Sequence, residues 1–276
     1  MPLPRFVRVY LLPAEHGGWF MLLGPFLAGA VAAGRARADL ATLLALALAG
    51  FVWRQPLVVL VKALAGRRAR AEQRPALRAT AGVGVVVAAL FGLLLARGHH
   101  SLVWLALAAA PVLAWQLGLV ALRRERQLAI ELIGAGALSL AAPAAYWVSL
   151  GTPAATGWWL WGASWLYSAS AIAHVYLRLW QRRLPVPPPA GERWRRGAPA
   201  LLATALALGA AAAGAALGLV PRAVPLPYAL ALAHVVAGVA WPAVGVRPVR
   251  IGLEQAGMAL VVHVMLGAAF RASWPG

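Results

Sequence analysis

Cysteine is absent from this chain, and aspartate occurs once, at Asp39. The lack of cysteine excludes disulfide bonds, thiolate metal sites and cysteine nucleophiles. The single aspartate excludes an aspartate-rich magnesium cage of the kind that holds a diphosphate. The sequence also lacks a glycine-rich phosphate loop and a histidine cluster with metal-ligand spacing, so we predict no metal and no cofactor.

Charged residues are also scarce: they make up 12% of the 276 residues, against about 25% in a typical soluble domain. Hydrophobic residues make up 62% of the chain. A membrane span needs about 20 predominantly apolar residues, and nine such runs can be marked along the sequence. We therefore predict an all-α polytopic membrane protein with one integral membrane domain, residues 1–276. Its predicted spans are 15–34, 40–62, 79–97, 101–122, 128–150, 157–179, 198–220, 226–245 and 251–271.

Basic residues lie mostly on one side of these spans. Lysine and arginine number 25 against seven acidic residues, which gives a net charge of +18. Nineteen of the basic residues fall in the amino-terminal tail and in every second loop, and five fall on the other side. This bias predicts a cytoplasmic amino terminus and an outer carboxyl terminus, in the inner membrane of a prokaryote. The loop arginines are expected to contact anionic headgroups and not nucleic acid.

Several polar residues interrupt the spans, all in the predicted cytoplasmic half. They are Glu15 and His16 in the first span, Arg54, Gln55 and Lys62 in the second, Glu131 in the fifth, and His174 and Arg178 in the sixth. A charge in hydrocarbon costs roughly 2.5–3.5 kcal/mol at a helix centre, so each needs a partner or a cavity. We predict one polar cavity that opens to the cytoplasm. Glu15, His16, Glu131 and His174 are its candidate catalytic residues, and Arg54, Gln55, Lys62 and Arg178 its candidate anion-binding residues.

Some other polar residues are expected to have a structural role and no part in this cavity. Glu254 stands at a helix start, where a carboxylate complements the helix dipole. His234 and His263 are expected to be packed and hydrogen-bonded within their spans. His99 and His100 fall in a loop and are expected to be solvated.

The same polar residues resemble the YwiC-like family of integral membrane proteins. The resemblance rests on Glu15-His16-Gly17-Gly18-Trp19, where the family usually reads Gln-His-Gly-Ala-Trp, on Arg54-Gln55-Pro56-Leu57, on Glu131 with Gly134, and on His174-Val175 with Arg178. Glutamate for glutamine and Gly18 for alanine are departures from the family pattern. The resemblance implies a site more than a reaction.

A more remote resemblance is to the UbiA superfamily of intramembrane prenyltransferases, which implies a UbiA-like bundle of nine helices. In that superfamily the second and sixth helices carry aspartate motifs that hold magnesium diphosphate. Here the equivalent stretches offer Arg54, Lys62, His174 and Arg178, so any enzyme would be a divergent transferase that lacks those motifs.

Three functions fit these observations. The first is binding or modification of an amphipathic anionic lipid or isoprenoid-like molecule, with Arg54 and Arg178 on the anion and His16 moving a proton with Glu15 or Glu131. The second is small-molecule or proton-coupled transport through the same residues. The third is a non-catalytic assembly factor with a buried ion-pair network. The sequence leaves the oligomeric state open.

Overall fold

The computed structural model describes residues 6, 9–10, 18–123 and 128–273, and these residues contain ten α-helices. Glu15 and His16 lie outside the described residues. A short 3-10 turn, Arg70–Glu72, precedes the third helix. The helices are α1 (Gly18–Ala33), α2 (Ala38–Leu64), α3 (Gln73–Ala96), α4 (Leu102–Ala121), α5 (Leu128–Ser139), α6 (Ala141–Leu150), α7 (Thr156–Gln181), α8 (Ala190–Ala216), α9 (Pro225–Ala240) and α10 (Pro248–Ser273).

Within the part of the chain that the structure describes, six helical segments are long and apolar enough to cross a bilayer. They are 38–64, 70–96, 102–121, 128–150, 190–216 and 248–272. Helices α1 and α9 are apolar but have 16 residues each. The prediction of an all-α polytopic membrane protein is therefore confirmed. The number of nine crossings and the orientation stay predictions.

The fifth predicted span consists of two helices, α5 and α6, with a break at Leu140. Proline lacks an amide hydrogen, so Pro143 leaves the carbonyl of Ser139 without its helical donor. The amide of Leu140 correspondingly bonds to the carbonyl of Ala137, at 3.2 Å, in a tighter turn. One proline thus divides a continuous apolar run without ending the span.

Helix α1 lies between α6 and α10, and glycine allows both close approaches. A Cβ at Gly29 would lie 2.1 Å from the carbonyl oxygen of Ala142 on α6. A Cβ at Gly267 of α10 would lie 2.6 Å from the carbonyl oxygen of Ala28. The backbones therefore meet directly, as small residues permit in membrane helix packing.

Helices α2, α3 and α4 are less buried than the other long apolar helices. Helix α3 packs mainly on α2, and Val85 and Val86 on its outer face are exposed. Trp104 and Leu107 on α4 are exposed as well. Apolar side chains that face outward along long helices are expected to contact lipid tails.

Helix α7 connects the remaining helices, because it packs on α5, α6, α8 and α10. Two of its tryptophans bind α5: Trp161 Nε1 donates to the carbonyl of Gly136 at 2.9 Å, and Trp165 Nε1 to that of Leu132 at 2.8 Å. The hydroxyl of Tyr228, fully buried on α9, donates to the carbonyl of Ala163 at 2.6 Å. These bonds fix α7 between α5 and α9.

Candidate functional site

The candidate anion-binding residues of α2 lie on a half-buried part of that helix. Arg54, Gln55 and Lys62 are all of intermediate exposure. Gln55 Nε2 donates to the carbonyl oxygen of Val9 at 3.2 Å, so α2 contacts the segment before α1. Helix α2 packs on α3, α4 and α6, whereas α7 is not among its principal neighbours. The principal packing of α2 therefore does not bring it onto the helix that carries His174.

Glu131 is exposed on α5 and accepts a hydrogen bond of 2.6 Å from the hydroxyl of Tyr176 on α7. Residues of an α-helix follow one another at about 100°, so Tyr176 points about 200° away from His174. His174 and Arg178 are one turn apart and share a face. Glu131 thus contacts the opposite side of α7 from these two residues, and the structure does not bring it together with His174.

His174 and Arg178 are buried together where α7 meets the end of α9. The side chain of His174 is 2% exposed, and its ring lies 4.9 Å from that of His234, centroid to centroid. Gly238 makes this approach possible, because a Cβ there would lie 2.4 Å from His174 Nε2. That nitrogen has no hydrogen-bond partner among the described residues. His234 Nε2 lies 3.1 Å from Gln255 Nε2 of α10.

Arg178 holds the carboxyl-terminal end of α9. Its Nη1 donates to the carbonyl of Trp241 at 2.8 Å and to that of Gly238 at 3.3 Å. Its Nη2 lies 3.4 Å from the Glu254 carboxylate of α10. The last carbonyls of a helix carry partial negative charge and have no intrahelical donor, so a cation is stabilised there. Arg178 therefore ties together α7, α9 and α10.

A small cavity of about 10 Å³ adjoins the two histidines. This volume is at the lower limit for one water molecule. Its walls are Tyr167, Ser170, Ala171, His174, Thr204, Ala231, His234, Val235, Gln255 and Met258. Among the described residues, no three His, Asp or Glu side chains lie close enough to bind a metal ion.

A larger groove opens between α5, α7 and α8, on the Glu131 side of α7. Its volume is about 290 Å³, and its walls are Leu128, Ala173, Tyr176, Leu177, Trp180, Arg196, Pro199 and Ala200. The Arg196 guanidinium carbon lies 5.3 Å from the centroid of Trp180, within the range of a cation–π contact. Arg196 Nε also lies 3.9 Å from the Glu192 carboxylate.

Several of these groups could not be recognised from the sequence. Arg196, Tyr176 and Trp180 received no site role, although residues 176 and 180 are one helical turn apart. The expectation for Glu254 was incomplete, because this carboxylate also pairs with Arg178 across two helices. His263 is packed and hydrogen-bonded as expected: it is 1% exposed, and its Nδ1 lies 2.7 Å from the carbonyl of Ala259.

The expectation that His99 is solvated is wrong. Its side chain is 5% exposed, and its Nε2 lies 2.9 Å from the Asp39 carboxylate. Arg97 Nη1 lies 2.6 Å from the other oxygen of Asp39. The chain turns tightly after α3 and brings His99 under the start of α2, a long-range contact that local polarity did not reveal.

The family model described as YwiC-like protein matches residues 12–146, which extend from the segment before α1 into α6. His174 and Arg178, on which the resemblance partly rested, lie beyond the matched stretch. No curated protein and no solved structure matches this chain, so the UbiA-like bundle stays a prediction. Over residues 12–146, this membrane protein is therefore similar to the YwiC-like family.

Proposed function

We propose that this protein binds or modifies an amphipathic anionic lipid or isoprenoid-like molecule. The apolar chain would lie in the groove between α5, α7 and α8, and the anionic headgroup would contact Arg196. The observation that carries this proposal is an apolar groove of about 290 Å³ with a guanidinium on its wall.

The shape and chemistry of the groove suit such a ligand. Its volume is near the lower end of the range for small-molecule sites, about 300–1,000 Å³. Leu128, Ala173, Leu177 and Ala200 provide apolar walls. Guanidinium groups bind carboxylate or phosphate through paired hydrogen bonds, which gives Arg196 its role.

Arg196 fits the anion better than Arg178 does. The Nη1 group of Arg178 is occupied by carbonyls of the α9 end, and its Nη2 group faces Glu254. Arg196 is exposed, with Glu192 as a weak partner at 3.9 Å. A headgroup that carries more charge than one carboxylate would compete with Glu192 for Arg196. Arg54 and Lys62 stay predicted anion-binding residues.

The chemistry, if the ligand is modified, would take place at the rim of the groove. Tyr176 lines the groove, and its hydroxyl donates to Glu131 at 2.6 Å. This pair would move a proton to or from the headgroup. Roles for Glu15, His16 and His174 in proton transfer stay predictions, as do the transporter and assembly-factor alternatives.

A binding experiment tests the proposal. The full chain is placed in nanodiscs, and equilibrium binding of radiolabelled dodecyl phosphate and of uncharged dodecanol is measured, with empty nanodiscs subtracted. We expect the wild type to prefer dodecyl phosphate and Arg196→Gln to bind it about tenfold more weakly, since a hydrogen bond to a charged group contributes about 1.5–3 kcal/mol and exposure reduces this.

Two further variants make the result specific. Arg222→Gln removes an exposed arginine that does not line the groove and should bind both probes like the wild type. Ala173→Leu adds bulk at a half-buried wall of the groove and should weaken binding of both dodecyl probes. The proposal is refuted if Arg196→Gln keeps the wild-type preference for dodecyl phosphate over dodecanol.

A further inference from the structure

The last turn of α9 is held by side chains from two other helices. From α7, Gln181 Nε2 donates to the carbonyl of Gly238 at 2.9 Å, and Arg178 donates to the same oxygen and to that of Trp241. Gln181 Oε1 accepts from the amide of Ala243 at 3.1 Å, just after the helix end. The position of this turn relative to α7 is therefore fixed by a network of buried hydrogen bonds.

Helix α8 attaches to the same turn. Arg193 Nη1 donates to the carbonyl of Ala240 at 2.7 Å. One helical turn later, a Cβ at Gly197 would lie 2.5 Å from the Val239 side chain, so the two helices touch there. Arg193 and Gly197 share one face of α8, and that face lies against α9.

This attachment sets the direction of Arg196. Arg196 precedes Gly197 by one residue, so it points about 100° around the helix axis from the face that contacts α9. In that direction it meets Trp180 of α7, with the guanidinium carbon 5.3 Å from the ring centroid. A rotation of the α8 start about its own axis would carry Arg196 away from the groove.

We propose that Arg193 is a positioning residue for the anion site of the groove. It holds the start of α8 on the α9 carbonyls, and those carbonyls are held in turn by Arg178 and Gln181. One cluster of backbone oxygens thereby fixes Trp180 and Arg196 relative to each other. This inference rests on the proposed function, because it assigns Arg193 a part in binding the same anionic amphiphile.

The test uses the same full chain in nanodiscs and the same two probes. Arg193→Met removes the hydrogen bond to Ala240 and keeps an unbranched side chain. We expect dodecyl phosphate to bind at least about fivefold more weakly and dodecanol to bind as in the wild type, since the apolar walls remain. Arg193→Lys keeps a cationic donor near Ala240 and should restore most of the dodecyl phosphate binding.

The outcomes separate this inference from the function on which it rests. If Arg196→Gln weakens dodecyl phosphate binding but Arg193→Met does not, the inference is overturned and the proposed function stands. If Arg193→Met weakens binding of both probes equally, its role is merely structural and the inference is again overturned. If Arg196→Gln binds dodecyl phosphate like the wild type, both proposals fail.

Discussion

The contact between α1 and α6 leads to the sharpest prediction of stability. In a Gly29→Ala variant, the new Cβ would lie 2.1 Å from the Ala142 carbonyl oxygen and 3.0 Å from the Tyr146 amide nitrogen. Both neighbours are backbone atoms of α6, so no side chain can rotate away. The two helices must separate by roughly 1 Å to reach ordinary contact distances.

The magnitude follows from two opposing effects. Overpacking of a buried contact costs about 1–3 kcal/mol, and a rigid backbone neighbour places this site at the upper end. Alanine in place of glycine within a helix contributes about 1 kcal/mol in the other direction. We therefore expect a net loss of about 2 kcal/mol in the free energy of unfolding.

Tryptophan fluorescence can follow thermal unfolding without a thiol dye, since the chain has 13 tryptophans and no cysteine. We expect Gly29→Ala to lower Tm by at least about 4 °C. Gly92→Ala on α3 is the matched control, because its new Cβ would meet no atom within 4 Å. Its Tm should stay level or rise slightly. Equal melting of Gly29→Ala and the wild type would refute the direct backbone contact.

Three further substitutions test other contacts by the same unfolding assay. Trp165→Phe removes the hydrogen bond from the indole to the Leu132 carbonyl of α5 and should lower the free energy of unfolding by about 1 kcal/mol. Asp39→Asn leaves the buried ring of His99 without its carboxylate partner and should cost about 1–2 kcal/mol. Gly238→Ala forces His174 out of its position, because the new Cβ would lie 2.4 Å from its Nε2, and should cost about 1–3 kcal/mol.

Each of these predictions has a control in the same chain or a result that contradicts it. Trp159→Phe changes an exposed indole and should melt within about 0.5 kcal/mol of the wild type. Glu72→Gln removes the exposed Arg68–Glu72 ion pair and should also change the free energy of unfolding by less than about 0.5 kcal/mol. If Asp39→Asn changes the free energy of unfolding as little as Glu72→Gln does, the buried contact between Asp39 and His99 does not stabilise the protein as we expect. For Gly238→Ala, an unchanged Tm would contradict the packing of His174 on α9.

The helical class of this protein could be predicted from its sequence because apolar runs and scarce charge leave few alternatives. The α7 face that carries His174 and Arg178 also followed from spacing, since positions four apart share a face. The helix break at Leu140 was harder to predict from the sequence, because Pro143 is one of several prolines inside the predicted spans. Pro25 and Pro56 lie in helices that continue through them.

The partners of the charged side chains could not be predicted from depth alone. Several acidic residues lie at a depth similar to that of Arg178, and only the packing of α10 on α7 selects Glu254. Glu131 was an equally plausible partner for Arg178 by depth. It lies instead on the opposite side of α7, where it accepts a hydrogen bond from Tyr176. Arg196 was counted as a topology signal, since nothing local distinguishes it from its neighbouring arginines. Its place over Trp180 depends on the angle at which α8 meets α9.

The glycines of α1 have a consequence for biogenesis. During synthesis α1 leaves the ribosome well before α6 and long before α10, yet these two later helices cover Gly24, Gly29 and their neighbours. Until they are inserted, lipid or a chaperone of the insertion machinery must shield that surface of the nascent chain. The packing of α1 is therefore completed only when α10, the last described helix to be synthesised, is in place. A chain stalled before α10 would leave α1 partly uncovered and open to quality control.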